Sequence, residues 1–276
     1  KMFVISLSQL YAKQRQLPNG MLWTPNQDWV LNQANESLLY RKQPLKQLKA
    51  EKPDGFDWRE QNSRCLLVRD RGSCEASWAF AVIEAMGDQR CIAGKDLARS
   101  FYSEQYITSC NQKGCAGGKV AAGLNFLQQV GVPSSKCSVF RSGKDGIERK
   151  CQTKCDDRSS FTGFTKIGTY QNVGGEASML KYIEKGVLVG EMRIYKDFET
   201  FQALEGEIYH HVTESAETGK FLGVNIVGYG VNSEGVKFWI VKNSKGPKWG
   251  EDLGYFRILR GTNESGIEED AYLITP

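Results

Sequence analysis

Apolar residues recur along this chain with two different periods. Over residues 77–93, Ala79, Val82, Ile83 and Met86 fall three and four apart, the spacing of one face of an α-helix, with Ser77 at the helix start and Gly94 just past its end. A second helical pattern runs through KVAAGLNFLQQVG at 119–131. Beyond about residue 160 the pattern changes. FTGFTKIGTY, VLVGEMRIY, FLGVNIVGYGV, KFWIVKN and GYFRILRG are short runs rich in β-branched and aromatic residues, punctuated by glycine, and they read as strands. Helices followed by strands predict an α+β chain of two packed lobes with a cleft between them, the helical lobe over about 62–160 and the β lobe over about 161–276. Residues 1–53 stand apart: they have no cysteine, and a polar Lys/Gln/Asn-rich middle ends in KQPLKQLKAEKPDG. They read as an N-terminal extension or pro-segment joined near Pro53–Gly55.

Composition narrows the class. The 276 residues are 40% hydrophobic, enough to bury a real core, and the formal net charge is +4 with both signs interspersed. That mild balance argues for neither nucleic acid nor membrane, and no apolar run approaches the roughly 18 residues of a transmembrane helix. The opening KMFVISLSQLYAKQ is too short and polar for a signal peptide, so the chain reads as already processed. Eight cysteines, an even number, point to disulfides and an oxidising compartment. Metal is the competing reading of CQTKC (151–155) and CNQKGC (110–115), but no histidine lies near either pair, so neither metal nor cofactor is expected. Sequons at Asn35 and Asn263 fit a secretory route, making the chain secreted or resident in an endolysosomal lumen.

Several blocks then line up. DRGSCEASWAF (70–80), CAGGKVAAG (115–123) and VKNSKGPKWGEDLGYFRI (241–258) resemble the active-site loop, the glycine segment and the asparagine block of the papain superfamily. FDWREQNSRC, YHHVTES, FRILRG and GIEED are similar, more narrowly, to cathepsin B. The resemblance runs in order over 54–276 and implies a papain-like two-lobe fold with a helical left lobe and a β-barrel-like right lobe. It also implies the pairs Cys65–Cys91, Cys74–Cys115, Cys110–Cys151 and Cys137–Cys155. The segment between Cys137 and Cys151 is short and has no histidine, so the occluding loop of cathepsin B is expected to be missing.

A papain-like site needs a thiolate, an imidazole base, a carboxamide to orient it and donors for the oxyanion. By the resemblance the nucleophile position holds Ser77 and the base position Leu222, which accepts no proton. Asn243 stands at the orienting position, Lys245 replaces the shielding tryptophan and Arg71 the glutamine of the oxyanion hole. Ser77 has a plain structural reading as a helix N-cap, and Glu75 one as a solvated loop residue. Gly117 and Gly118 would line a vestigial substrate cleft, with Asp270 at the base of its side-chain pocket.

The expected function is that of a catalytically inactive cathepsin B-like pseudoprotease acting as a binding, structural or regulatory protein, comparable to tubulointerstitial nephritis antigen-type proteins. Its partner would be a protein or peptide, or residues 1–53 would occupy the cleft. The alternative is a serine-nucleophile hydrolase in which Ser77 works with a relocated base, His210 or His211, whose bland reading is a surface pair in a loop.

Overall fold

The computed structural model of the protein describes residues 55–111 and 114–276. The extension at 1–53, its expected fit to the cleft and the sequon at Asn35 lie outside the described residues.

Near the start of the described chain, β1 (Phe56–Asp57) leads into α1 (Trp58–Asn62), capped by the Asp57 carboxylate accepting from Arg59 N–H at 2.8 Å. The helical lobe is built on α2 (Ser77–Ile92), which the apolar spacing and Gly94 bound correctly. It packs against α3 (Glu104–Cys110) and α4 (Val120–Gln129) on one side and the sheet on the other. Sandwiched this way, α2 buries its polar positions Glu84, Asp88 and Gln89 along with Phe80, Ile83 and Met86. Each of the three large apolar side chains contributes about 1.5–3 kcal/mol by burial.

All four disulfides implied by the resemblance are formed, and no cysteine is free. Every one lies between Cys65 and Cys155. The segment where an occluding loop would sit holds only a one-turn helix, α5 (Ser142–Asp145), packed on the active-site loop through Ser73 N–H donating to Gly143 O at 2.8 Å.

The second lobe is an eight-stranded sheet. Its members after β1 are β2 (Tyr170–Asn172), β3 (Leu188–Tyr195), β4 (Ile208–Tyr209), β5 (Glu217–Val231), β6 (Lys237–Lys242), β7 (Tyr255–Leu259) and β8 (Ala271–Ile274). The order is β2-β8-β3-β5-β6-β7-β4, antiparallel except for β4 on β7, with β1 added to β5. Between these strands run α6 (Glu176–Ile183) and α7 (Lys196–Thr200). The sheet is open rather than barrel-like: its end strands β2 and β4, three and two residues long, do not pair with each other.

One expected strand is not there. Of FTGFTKIGTY only Tyr170 enters the sheet, and residues 161–169 contribute a single bridge from Thr165 to Val132. Phe161 and Phe164 turn instead onto Tyr106 of α3, with ring centroids 5.5 and 5.1 Å away. Burial against a helix outweighs the strand propensity of these residues.

Candidate functional site

The nucleophile position lies at the seam of the two lobes. Ser77 is the first residue inside α2, and the cap position belongs to Ala76, which makes no side-chain cap bond. The N-cap reading is therefore wrong, because the helix begins one residue too early for it. Ser77 Oγ instead accepts a hydrogen bond from the Gly223 N–H of β5 at 3.1 Å, in a buried contact. Only glycine permits this approach: a Cβ at 223 would lie 2.7 Å from Ser77 O and from Trp78 Cα.

Leu222 precedes that glycine. It is 1% exposed, pairs across the sheet with Met192 and packs in the apolar cluster that holds Val224, Ile226 and Phe256. Strand alternation puts residue 222 on the core face while the backbone of 223 meets the helix. Among the described residues, the only hydrogen bond to Ser77 Oγ is the one from Gly223. His211 is engaged elsewhere: its Nδ1 lies 2.9 Å from Glu264 Oε1 and its ring stacks on Tyr195 at 4.1 Å. His210 is exposed.

The remaining positions of the constellation do come together. Arg71 N–H donates to Ser244 O at 3.0 Å, and Asp70 bridges to Lys245, so the active-site loop and the asparagine block run side by side. Asn243 is 1% exposed and its Oδ1 accepts from Ser244 N–H at 2.8 Å, whereas its buried Nδ2 has no protein partner among the described residues. The Arg71 guanidinium turns back onto its own loop, donating to Cys74 O at 2.9 Å and pairing with Glu75 at 3.3 Å. Glu75 also faces Lys220 of β5 at 3.8 Å, so it is one end of a weak tie across the seam and not a free loop carboxylate. Lys245 lies near the rings of Trp249 (5.0 Å) and Phe198 (5.7 Å). Burial, and then the Arg71 charge, push its pKa below the ordinary lysine value.

The expected substrate-side residues divide. Gly117 has φ +89° with open space around it. Gly118 is demanded by packing, because a Cβ there would meet the Trp78 ring at 2.8 Å. Asp270 is exposed at the sheet edge, accepting from Asn172 Nδ2 at 3.2 Å and from Tyr272 Oη at 3.3 Å. Burial, reinforced by Asp270, pushes the Tyr272 hydroxyl up to about 12. Asn263 is exposed, but its Nδ2 donates to Glu269, and the Ser265 hydroxyl of the same sequon is buried against Glu264.

Two features of the seam escape the sequence reading. At the start of α4, Lys119 pairs with Glu191 of β3 at 2.7 Å and sits over the Phe221 ring, while Val120 N–H donates to the same carboxylate at 3.1 Å. Deeper, Lys242 of β6 is fully buried between Glu84 (2.8 Å) and Asp88 of α2, and Arg99 holds Asp88 from the far side at 2.8 Å. Burial, with the nearby Asp88 charge, outweighs Lys242 and raises the Glu84 pKa to about 7. These residues are up to 158 positions apart in sequence (242 − 84), and nothing local announces the meeting.

Comparison with known proteins agrees with this architecture. The sequence profile described as papain family cysteine protease matches residues 52–275. Cathepsin B-like CP3 of Giardia intestinalis is 40% identical over 222 residues, covering 79% of this chain and 72% of that protein. Cathepsin B-like CP2 of the same organism is 38% identical, covering 80% and 73%. Among solved structures, proCathepsin B S9 from Trypanosoma congolense superposes with a TM-score of 0.71 at 27% identity, covering 85% of this chain and 81% of that one.

Proposed function

The chain belongs to the papain family of cysteine proteases, and we propose that within it this protein is a cathepsin B-like binding or regulatory protein that has given up peptide hydrolysis. The observation carrying this reading is the pairing of Ser77 with Leu222. A serine hydroxyl attacks only when a base takes its proton during the step, and the position of the base is an isobutyl group sealed into the sheet core. The Ser77 oxygen is already committed to the Gly223 N–H. Loss of one member of such a triad costs on the order of 10⁴–10⁶ in rate.

The electrostatics support the same reading. Arg71 brings a fixed charge where a neutral amide would donate to an oxyanion, and it spends that charge on Glu75 and Cys74 O. Four disulfides support folding in an oxidising compartment, secretory or endolysosomal. Residues 1–53 fit this reading as an extension that no self-cleavage removes.

The test is hydrolysis of a panel of fluorogenic peptides at acidic and neutral pH, before and after limited proteolysis near Pro53, with Ser77→Ala as the matched control. The expected result is turnover indistinguishable from the alanine protein. Turnover that disappears with Ser77→Ala overturns the reading.

A further inference from the structure

A cavity of about 530 Å³ opens on the sheet lobe beside the seam, between the 202–205 loop and the 245–252 segment. Its wall is unusually fixed. Ala203 and Asp252 both hold left-handed backbone (φ +51° and +45°), a conformation that costs non-glycine residues on the order of 1–3 kcal/mol each and persists only where the surroundings enforce it. The enforcement is visible. Ala203 is buried, and Asp252 is held by Arg59 at 3.1 Å.

The charges facing the cavity are unequal in a way that composition conceals. Three acids contribute to the lining; Glu251 is paired with Arg257 at 2.9 Å, and Asp252 lies 3.1 Å from Arg59 but shares that cation with Asp57, which sits closer at 2.7 Å. Glu251 also accepts from Gly206 N–H at 3.0 Å. Glu205, exposed on the rim, is the remaining acid. Against it stand Lys245 and Lys248, neither of which has a carboxylate at ion-pair distance among the described residues. Lys245 is partly buried beside Trp249 and disfavoured by the neighbouring Arg71, as its lowered pKa reflects. Glu75 and Glu199 are near enough to favour its charge but not to pair with it, and a partly desolvated ammonium with no carboxylate in direct contact, next to an indole face, favours a ligand that brings negative charge. The lip carries Leu204, 67% exposed, so the same space also offers apolar contact.

We propose that this cavity binds a small organic anion, a carboxylate carried on an aromatic or branched apolar body. The carboxylate meets Lys245 and Lys248, and the apolar body lies between Trp249 and Leu204. This inference goes beyond the proposed loss of hydrolysis and does not depend on it, since the cavity involves neither Ser77 nor Leu222.

The test is calorimetric titration of the full chain with N-acetyl-L-phenylalanine and, separately, with its neutral amide. The carboxylate is expected to bind with a Kd on the order of 1 mM, as suits a ligand of its size, and the amide about tenfold more weakly or not at all. Lys245→Met is expected to weaken carboxylate binding about tenfold and Lys248→Met about threefold, the loss of one charge-assisted contact each, while Lys181→Met, remote from the cavity, changes nothing. Equal binding of carboxylate and amide overturns the proposal, as does unchanged binding in Lys245→Met or no heat from the carboxylate at about 10 mM, well above the expected Kd. The comparison of the two ligands needs no variant, so it decides the matter even where a substitution unfolds the protein.

Discussion

The two ends of α2 face the same sheet and meet it by opposite means. At its start Ser77 touches β5 through a neutral hydrogen bond beside Leu222 and Gly223, with no ionised group in contact. Two and three turns on, Glu84 and Asp88 meet β6 through a fully buried lysine, with Arg99 closing the cluster. Buried charge is tolerated at the second end because each ion has a partner at hydrogen-bond distance; an unpaired ion there would cost several kcal/mol. At the first end Leu222 is packed in an apolar cluster of the sheet. The same helix thus meets the sheet through apolar packing at one place and through buried charge at another.

The strongest way to break this contrast is Lys242→Met. It leaves two acids in the seam with only Arg99 to answer them, and we expect a loss of about 3–5 kcal/mol in urea unfolding, the cost of stripping one partner from a buried pair. A loss below 1 kcal/mol would mean that the cluster relaxes to water and that the two ends of the helix do not differ.

Glu84→Gln sharpens the comparison through pH. The folded-state pKa of Glu84 is raised to about 7 from an ordinary 4.5, so between those values the native protein binds more protons than the unfolded chain. Stability therefore falls as pH rises from 4.5 to 7 and levels off above that. Unfolding midpoints across the window should decline in the native protein and decline less in the glutamine variant. Parallel curves for the two proteins would exclude Glu84 as the source.

Ser77→Ala removes the neutral contact at the other end, and about 1 kcal/mol of stability should go with the lost hydrogen bond. Smallest is Lys119→Met. Its ammonium is half exposed, so the pair with Glu191 is expected to contribute less than 1 kcal/mol, and added salt should erase the difference between variant and native protein.

How much of this was legible in the chain follows from how local each feature is. The helix at 77–92 was readable because its apolar spacing and its terminating Gly94 lie within one segment. Most strands of the sheet lobe were readable for the same reason, and the motif blocks that hold Arg71 and Asn243 do run side by side, through Arg71 N–H on Ser244 O. The stretch at 161–169 misled because its aromatic residues were claimed by Tyr106, a partner more than fifty positions away. Asp270 was expected at the bottom of a pocket, and the structure sets it on an exposed edge beside Tyr272. Glu84 and Asp88, one turn apart on a helix, look in sequence like a solvated face. Only the second lobe, folded against them, turns them inward. The cavity was invisible for a further reason: its wall includes left-handed backbone at Ala203 and Asp252, which sequence rules assign to glycine.

The placement of the disulfides divides the molecule's response to reduction. All four close loops of 18 to 41 residues within the helical lobe, and the sheet lobe holds its shape by strand pairing and apolar packing with no disulfide. A reductant therefore removes loop-closure constraints from one half and none from the other. Under oxidising conditions the halves unfold together across a shared charged seam. In a reducing environment the first becomes the weaker partner, and a single cooperative transition gives way to two.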